Sequence, residues 1–471
     1  MLAVSKLPKI GNIFLIFGVI LILSSDSAEI TLEDGRMRKD IVGMVQSTMD
    51  YMEENLKSEL DVRELSNMAG YSYFHFCQLF AQVTGLSVKQ YLVCRRLKHA
   101  LYEISTGTPK QEAASAYGFD TYAGFYKAFC REYGMSPSEY MKTYPSSYPY
   151  KIDLMQEEKV MISKKIMEKL LRHWGLETST VSQLYYEGSN QVSENEFQIG
   201  KDFVLKVSGF PGGLMHHMKI AEALDKVGLQ AALPLATVDG EFLVQEAEIY
   251  AILCRRVQGT KMSGREMFAA CDEKAAYRFG MLIGKLHQAL SKLDAGLCQE
   301  NRLYDTVKDW ALPAVQKKLN LPQAMITEYK TRFGEKYDKL PKQLIHRNMN
   351  LSYIYLDGEE MAGITDFELS EYSLRLFDVC YAATGILSEN FADTEEVMAK
   401  WLLLYQNIVR GYDAVIGLTR EEKQALPYVV LSIQMICVAY FSEKEQFAEL
   451  AKVNEQMLVR LIECKDKLLF G

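Results

Sequence analysis

Two stretches of this chain share one layout. The first runs Leu65-Ser-Asn-Met-Ala-Gly-Tyr71 and continues Ser72-Tyr-Phe-His-Phe-Cys-Gln-Leu-Phe80. The second runs Gln111-Glu-Ala-Ala-Ser-Ala-Tyr-Gly-Phe119 and continues Asp120-Thr-Tyr-Ala-Gly-Phe-Tyr-Lys-Ala-Phe129. Each reads as a short alanine-containing helix, a glycine turn and a second helix. Gly70 and Gly118 suit the left-handed residue that closes the first helix. Ser72 and Asp120 are expected to cap the second by accepting an orphan backbone N–H. Phe76 and Phe80 lie four residues apart, as do Phe125 and Phe129, so each pair is expected to face a core. The opposite face of each second helix is then left for a partner.

The second unit ends in Tyr133-Gly-Met-Ser-Pro-Ser-Glu-Tyr140. With the paired layout, this closely resembles the C-terminal signature of AraC-type regulators, over about Ile41 to Lys142. The resemblance implies two helix-turn-helix units joined by one long helix, here about Val88 to Glu103. The second helix of each unit would enter the DNA major groove, about one turn or ~34 Å apart. It further implies that Phe74, Cys77 and Gln78 face bases from the first unit, and Tyr122, Ala123, Tyr126 and Lys127 from the second. Gln78 can pair bidentately with adenine, and Lys127 can donate to guanine. Arg95 and Arg96, with Lys98, are expected either to face phosphate or to pack along the joining helix. The partner implied is a double-stranded DNA operator, read by a single chain or a homodimer.

Charge bounds that reading. The formal net charge is -8, so the molecule is no general polyanion binder. From Met37 to Pro145 there are twelve Lys plus Arg and twelve Asp plus Glu. No acid occurs between Leu65 and Tyr102, where Lys89, Arg95, Arg96 and Lys98 fall, so affinity must rest on a local surface. The nine cysteines include no CxxC pair, which argues for reduced thiols, against zinc, and for a cytoplasmic protein. Ile10 to Leu23 is nearly all apolar and is followed by Ser24-Ser-Asp-Ser-Ala28. Three readings stay open for it: translated sequence upstream of a true start at Met37, which is preferred, a weak membrane anchor, or a cleaved signal.

With 471 residues, two or three domains are expected. The expected division is a leader (1–36), a helical domain (37–145), a linker (146–156) and two lobes (157–258 and 259–471). A helix is expected from about Glu157 to His173. Phe203–Val207, Phe242–Gln245 and Tyr250–Cys254 read as strands of one antiparallel sheet. Helical periodicity covers Glu273–Leu293 and, after a loop-and-strand stretch at Leu344–Phe367, Glu395–Leu469. The apolar run Leu426–Tyr440 reads as a helix core.

In this second part, Leu344-Ile-His-Arg-Asn-Met-Asn-Leu-Ser-Tyr-Ile-Tyr-Leu356, Gly363-Ile-Thr-Asp-Phe367 and Phe377-Asp378 resemble the catalytic core of the aminoglycoside phosphotransferase and choline kinase-like superfamily. The fold implied for the whole chain is therefore multidomain: an all-α double helix-turn-helix domain, then an α+β, two-lobed, protein-kinase-like domain. Gly188 and Ser189 fall in the hairpin that covers the nucleotide phosphates, Lys206 in the strand that grips them, and Cys254 to Val257 in the hinge. ATP and Mg²⁺ are the cofactors implied, Asp366 the metal ligand. The pattern places a catalytic aspartate two residues after His346, where Asn348 stands, and a metal-binding asparagine five further on, where Tyr353 stands. Asn348 cannot accept a proton as a carboxylate does, a role worth ~10²–10⁴ in rate. Neutral Tyr353 is a poor ligand for a hard cation. Glu222 is the nearest acid that could pair with Lys206. The adjacent pair His216-His217 points about 100° apart on a helix and reads as surface.

The leading functional expectation is a regulator that reads DNA and senses a small molecule in a degenerate kinase pocket. An active small-molecule kinase fused to its own regulator is the alternative.

Overall fold

The computed structural model describes residues 32–471 except 85, 134–135, 144–147, 150–161, 163, 187–190, 210, 247–248, 295, 297, 299, 359, 443–447 and 471. The apolar stretch 10–23, Gly188, Ser189 and most of the linker therefore lie outside the described residues.

The first part is all helix: α1 (Leu32–Glu54), α2 (Val62–Met68), α3 (Tyr73–Thr84), α4 (Val88–Ser105), α5 (Lys110–Ala116), α6 (Tyr122–Tyr133) and α7 (Pro137–Thr143). Both paired units form as read. Gly70 and Gly118 sit at φ +75 and +79, where a Cβ is strained. Phe76, Phe80, Phe125 and Phe129 are wholly buried in one core with Tyr91 and Leu97 of α4. Burying each such side chain contributes roughly 1.5–3 kcal/mol. A capping box at Ser87 and Gln90 starts α4. The expected cap on α6 is corrected: Thr121 Oγ1, not Asp120, accepts the Gly124 N–H at 3.1 Å. Gln111 Oε1 accepts the neighbouring Tyr122 N–H. Ser72 holds the corresponding place at α3, its carbonyl accepting from Phe76 N.

The second part opens with α8 (Lys164–Arg172) and a sheet formed by β1 (Val181–Tyr186), β2 (Gln191–Ile199), β3 (Phe203–Ser208), β4 (Val244–Glu246) and β5 (Ile249–Arg255). Their order is β1-β2-β3-β5-β4, and every pairing is antiparallel. The helix α9 (Pro211–Lys226) follows β3 and lies on this sheet. Apolar residues from β2, β3 and β5 pack on Leu170 and Leu171 of α8. The expected hinge begins later than read, because Cys254 and Arg255 are still paired in β5.

Beyond it come β6 (Thr260–Lys261), α10 (Gly264–Ala270) and α11 (Glu273–Leu290), then α12 (Leu303–Thr306), α13 (Leu312–Gln316) and α14 (Gln323–Glu328) with π-helical turns at Val307–Ala311 and Tyr329–Phe333. The short strands β7 (Lys342–Ile345), β8 (Ile354–Asp357), β9 (Glu360–Ile364) and β10 (Glu371–Leu374) carry the intervening loops. The helices α15 (Leu376–Asn390), α16 (Glu395–Ile416), α17 (Arg420–Ser442) and α18 (Ala448–Glu463) complete a large helical core. α17 is long and apolar enough to span a bilayer, but 94% of its apolar window is buried inside this core. The two lobes meet where Ile364 N donates to Gln230 O at 3.1 Å.

At Gly280 and Gly411 the backbones of α11 and α16 meet directly. A Cβ on Gly411 would lie 1.9 Å from Tyr277 O, and one on Gly280 1.9 Å from Ile408 O. Neither backbone can yield without parting the helices. Gly411→Ala is therefore expected to destabilise the second part by about 1–3 kcal/mol, although alanine is the better helix former. Urea unfolding followed by tryptophan fluorescence checks this, since Trp174, Trp310 and Trp401 all lie in that part.

Candidate functional site: two recognition faces and a kinase-like cleft

The outer faces of α3 and α6 carry the residues expected to meet DNA. Phe74 is 83% exposed, and Gln78, Ala123, Tyr126 and Lys127 are exposed. Cys77 and Tyr122 are half-buried, the Tyr122 ring stacking on Phe125 at 5.5 Å. The amphipathic split is thus clear: Phe76, Phe80, Phe125 and Phe129 inward, mixed polar and aromatic side chains including Phe74 outward.

Arg95 and Arg96 do not join that surface. Arg95 is 2% exposed and forms a fork with Glu53, Nε to Oε1 at 2.6 Å and Nη2 to Oε2 at 2.9 Å. Tyr91 donates to the same carboxylate at 2.7 Å. Arg96 donates to the carbonyls of Leu56 and Ser58. The phosphate role is therefore corrected to the packing alternative: both arginines tie α4 to the end of α1 and the turn after it.

The cleft of the second part is built on one buried carboxylate. Asp378, in the first turn of α15, accepts from His346 N at 2.8 Å, Arg347 N at 2.9 Å and His287 Nε2 at 2.9 Å. His287 Nδ1 pairs with the Tyr412 hydroxyl at 2.7 Å. His346 Nε2 meets Thr365 O at 2.8 Å, joining this loop to the one that carries Asp366. Arg347 takes φ +75 and Asp366 φ +74, strained values for side chains other than glycine, at the two positions that aim the site.

Asn348 and Tyr353 lie where the sequence places them, each 5% exposed. Asn348 Nδ2 donates to Asp366 Oδ2 at 3.0 Å and to the Tyr353 hydroxyl at 3.3 Å. The Tyr381 hydroxyl donates to Asn348 Oδ1 at 3.2 Å, which fixes the amide's orientation. The Tyr353 hydroxyl also bonds Asp366. Burial, with the charge of Asp366 beside it, holds the Tyr353 phenol well above its ordinary value, so it stays neutral. Burial likewise raises the Asp366 carboxyl, against the pull of Lys206.

Lys206 is 3% exposed and stands among three carboxylates. It pairs with Glu196, its register partner on β2, with Glu368 at 2.6 Å, and with Asp366 at 3.7 Å. Burial would depress the amine, but Glu196, Glu368 and Asp366 together hold it well above its ordinary value. Glu222 is not its partner; it is exposed and pairs with Lys226. Instead α9 contributes His217, corrected from surface to fully buried. Its Nε2 lies 2.8 Å from Ala232 O and its ring 6.1 Å from that of Phe367. Burial, with Lys206 nearby, lowers its pKa to about 3. The oxygens of Glu196, Asp366 and Glu368 lie within 4.8 Å of one another, a donor set of the type hard cations take, with the Lys206 ammonium already among them.

Sequence reasoning missed Glu196, Glu368 and Tyr381. Glu196 becomes visible only through the β2–β3 register. Glu368 stands two residues after Asp366, and Tyr381 three after Asp378, next to signals already in view.

The folds and geometries define a helix-turn-helix DNA-binding unit followed by a kinase-like unit. Residues 65–143 match the family described as helix-turn-helix domain, and residues 189–415 the phosphotransferase enzyme family. The chain thus carries an AraC-type helix-turn-helix domain fused to a phosphotransferase-family domain. Over 100 residues it is 28% identical to the multiple antibiotic resistance protein MarA of Escherichia coli, covering 21% of this chain and 79% of that one. Over 105 residues it is 30% identical to the right origin-binding protein of Escherichia coli, covering 22% of this chain and 36% of that protein. The probable transcriptional regulator LumQ of Photobacterium leiognathi is 35% identical over 92 residues, 19% of this chain and 37% of that one. Among solved structures, a microcompartment-associated aminopropanol kinase is similar at TM-score 0.48 and 14% identity, covering 65% of this chain and 99% of that chain. The amicoumacin kinase hAmiN, in complex with AMP-PNP, Ca²⁺ and Ami, is similar at TM-score 0.45 and 13% identity, covering 64% of this chain and 93% of that chain.

Arg95→Ala is expected to destabilise the first part by about 3–5 kcal/mol, because it leaves Glu53 buried and unpaired. Burial would raise the Glu53 pKa, but hydrogen bonds from His99 and Arg95 lower it to about 2, against 4.5 ordinarily. A depressed carboxylate stabilises the fold fully above its unfolded value. That contribution is present above about pH 4.5 and fades as pH falls toward 2. Acid unfolding of Glu53→Gln, followed by circular dichroism, should lack this loss.

Proposed function

We propose that this chain is a cytoplasmic, sequence-specific transcription regulator, acting alone or as a homodimer on an operator, whose phosphotransferase-like domain senses a small molecule and turns over little or none. We assign the reading unit to 37–145 and the two lobes to 157–258 and 259–471, joined by a linker at 146–156.

The observation that carries the reading is the closed circuit at the catalytic position. Phosphoryl transfer needs a carboxylate to accept the substrate's proton and metal ligands to hold Mg²⁺ against the phosphates. Here a neutral amide occupies the first place and donates to Asp366, while a neutral phenol occupies the second and bonds the same carboxylate. A carboxylate at 348 would face Asp366 at the 3.0 Å now spanned by a hydrogen bond. Proton acceptance at 348 is therefore unavailable, and Asp366 is already satisfied by protein donors. What remains is a frame that can hold a ligand: Lys206, Asp366 and the segment between the lobes. A bound ligand would act on DNA occupancy by favouring one arrangement of the chain over another. The preserved contact of Lys206 with Asp366 is what favours the alternative, an active small-molecule kinase that uses ATP and Mg²⁺.

Two experiments test the two halves. Gln78→Ala and Lys127→Ala should each weaken binding by ~1–3 kcal/mol to a DNA sequence enriched by the wild-type chain from a random pool, and relax base preference locally. Fluorescence anisotropy with substituted sites measures this, and unchanged curves for both variants would remove α3 and α6 as the reading elements. For the cleft, phosphate release from ATP with a panel of amino-alcohols and aminoglycosides should show no substrate-dependent turnover. Asn348→Asp alone should stay inactive, whereas Asn348→Asp with Tyr353→Asn should recover Mg²⁺-dependent turnover. Robust activity of the unmutated chain, abolished by Asp366→Ala, would establish the active-kinase alternative.

A further inference from the structure

Two residues of the linker, Tyr148 and Pro149, lie against α4. The Tyr148 ring meets His99 edge-on at 5.6 Å and Tyr102 at 5.3 Å. Pro149 O accepts from Arg95 Nη2 at 2.9 Å, the same nitrogen that bonds Glu53. The linker backbone thus completes the hydrogen bonding of a buried ion pair that joins α1 to α4. His99 extends the node, its Nε2 lying 3.5 Å from Glu53 and its ring 5.8 Å from that of Tyr117.

Position gives the contact its meaning. α4 joins the two helix-turn-helix units and packs against α3, α5 and α6. α1 packs against α3. Whatever loosens the α1–α4 pair bears on the mounting of both recognition helices. A guanidinium that is 2% exposed is sensitive to the loss of one acceptor, because an unsatisfied buried charged donor is costly.

We propose that Tyr148–Pro149 is a strap through which the phosphotransferase-like domain acts on DNA reading: docked, it completes the Glu53–Arg95 pair and holds α1 against α4; pulled away, it loosens that joint. The proposal rests on the regulator reading above. Coupling of this kind is reciprocal, so DNA must act on the strap as the strap acts on DNA.

The full chain suffices for the test, with no need to know the small molecule. Hydrogen–deuterium exchange is followed in wild type, Tyr148→Ala and Tyr148→Phe, with and without the enriched DNA. The half-exposed ring makes Tyr148→Ala compatible with folding. Expected is exchange at least tenfold faster in residues 95–105 and 48–54 of Tyr148→Ala, with residues 164–471 unchanged and Tyr148→Phe like wild type. DNA binding by Tyr148→Ala should shift at least threefold. In wild type, adding DNA should change exchange of residues 146–150 by at least threefold. Exchange in α1 and α4 of Tyr148→Ala equal to wild type overturns the strap, as does a strap segment indifferent to DNA. If no DNA is enriched at all, the regulator reading itself fails, and unchanged α4 exchange in Tyr148→Ala still rejects the strap independently.

Discussion

A carboxylate sealed from water must be hydrogen-bonded on every side, and in the kinase-like part that carboxylate is Asp378. It takes two backbone N–H groups from the turn at His346 and Arg347 and an imidazole from α11. Removing that acceptor would leave three buried donors facing a void. The demand fixes the path of the chain through 346–348 whatever chemistry residue 348 performs. This explains how the loop keeps the shape of a catalytic loop with an asparagine at its working position. The geometry of the loop is thus secured by a different residue from the one that stands at its working position.

The helical part has a comparable anchor in Glu53. It accepts from Arg95 and Tyr91 at the joint of two helices, so the direction of α4 is set by charge as well as by the phenylalanine core. The division of labour is spatial. Arg95 and Arg96 are used as internal struts, and the exposed faces of α3 and α6 carry aromatic and amide side chains with Lys127. Under the proposed reading, acids and bases balanced in this part leave base contacts and shape to carry more of the recognition than a broad positive field.

Much of this was legible in the sequence, for identifiable reasons. Period and turn chemistry are local, so the paired helices, Gly70, Gly118, the buried phenylalanines, the joining helix α4, and the strands read from 203, 242 and 250 were all readable. The motif spacing around His346 and Asp366 singled out Asn348, Tyr353 and Asp366, three side chains that meet in the structure. What escaped depends on contacts distant along the chain. Glu196 enters the site because β2 pairs with β3 in one register, and sequence offers no direct measure of register. The choice between phosphate and packing stayed open for Arg95 because its partner lies 42 residues away. His217 looked exposed because two neighbouring polar residues suggest a solvated face, yet the inward position of α9 falls on the second of them. The Asp120 reading failed by one residue, the usual margin at a helix start, where Thr121 offers an equivalent oxygen.

The triangle of Asn348, Tyr353 and Asp366 also bears on how such a protein can change over generations. Restoring a carboxylate at 348 alone sets two like charges against each other in a buried space. Restoring an asparagine at 353 alone vacates the volume of a phenol ring and strips a donor from Asp366. Each single step back leads through a less stable chain, while the present arrangement satisfies every member. The two positions are therefore coupled: a change at 348 or at 353 alone disturbs hydrogen bonds that the other shares with Asp366, so the pair can be exchanged cheaply only together.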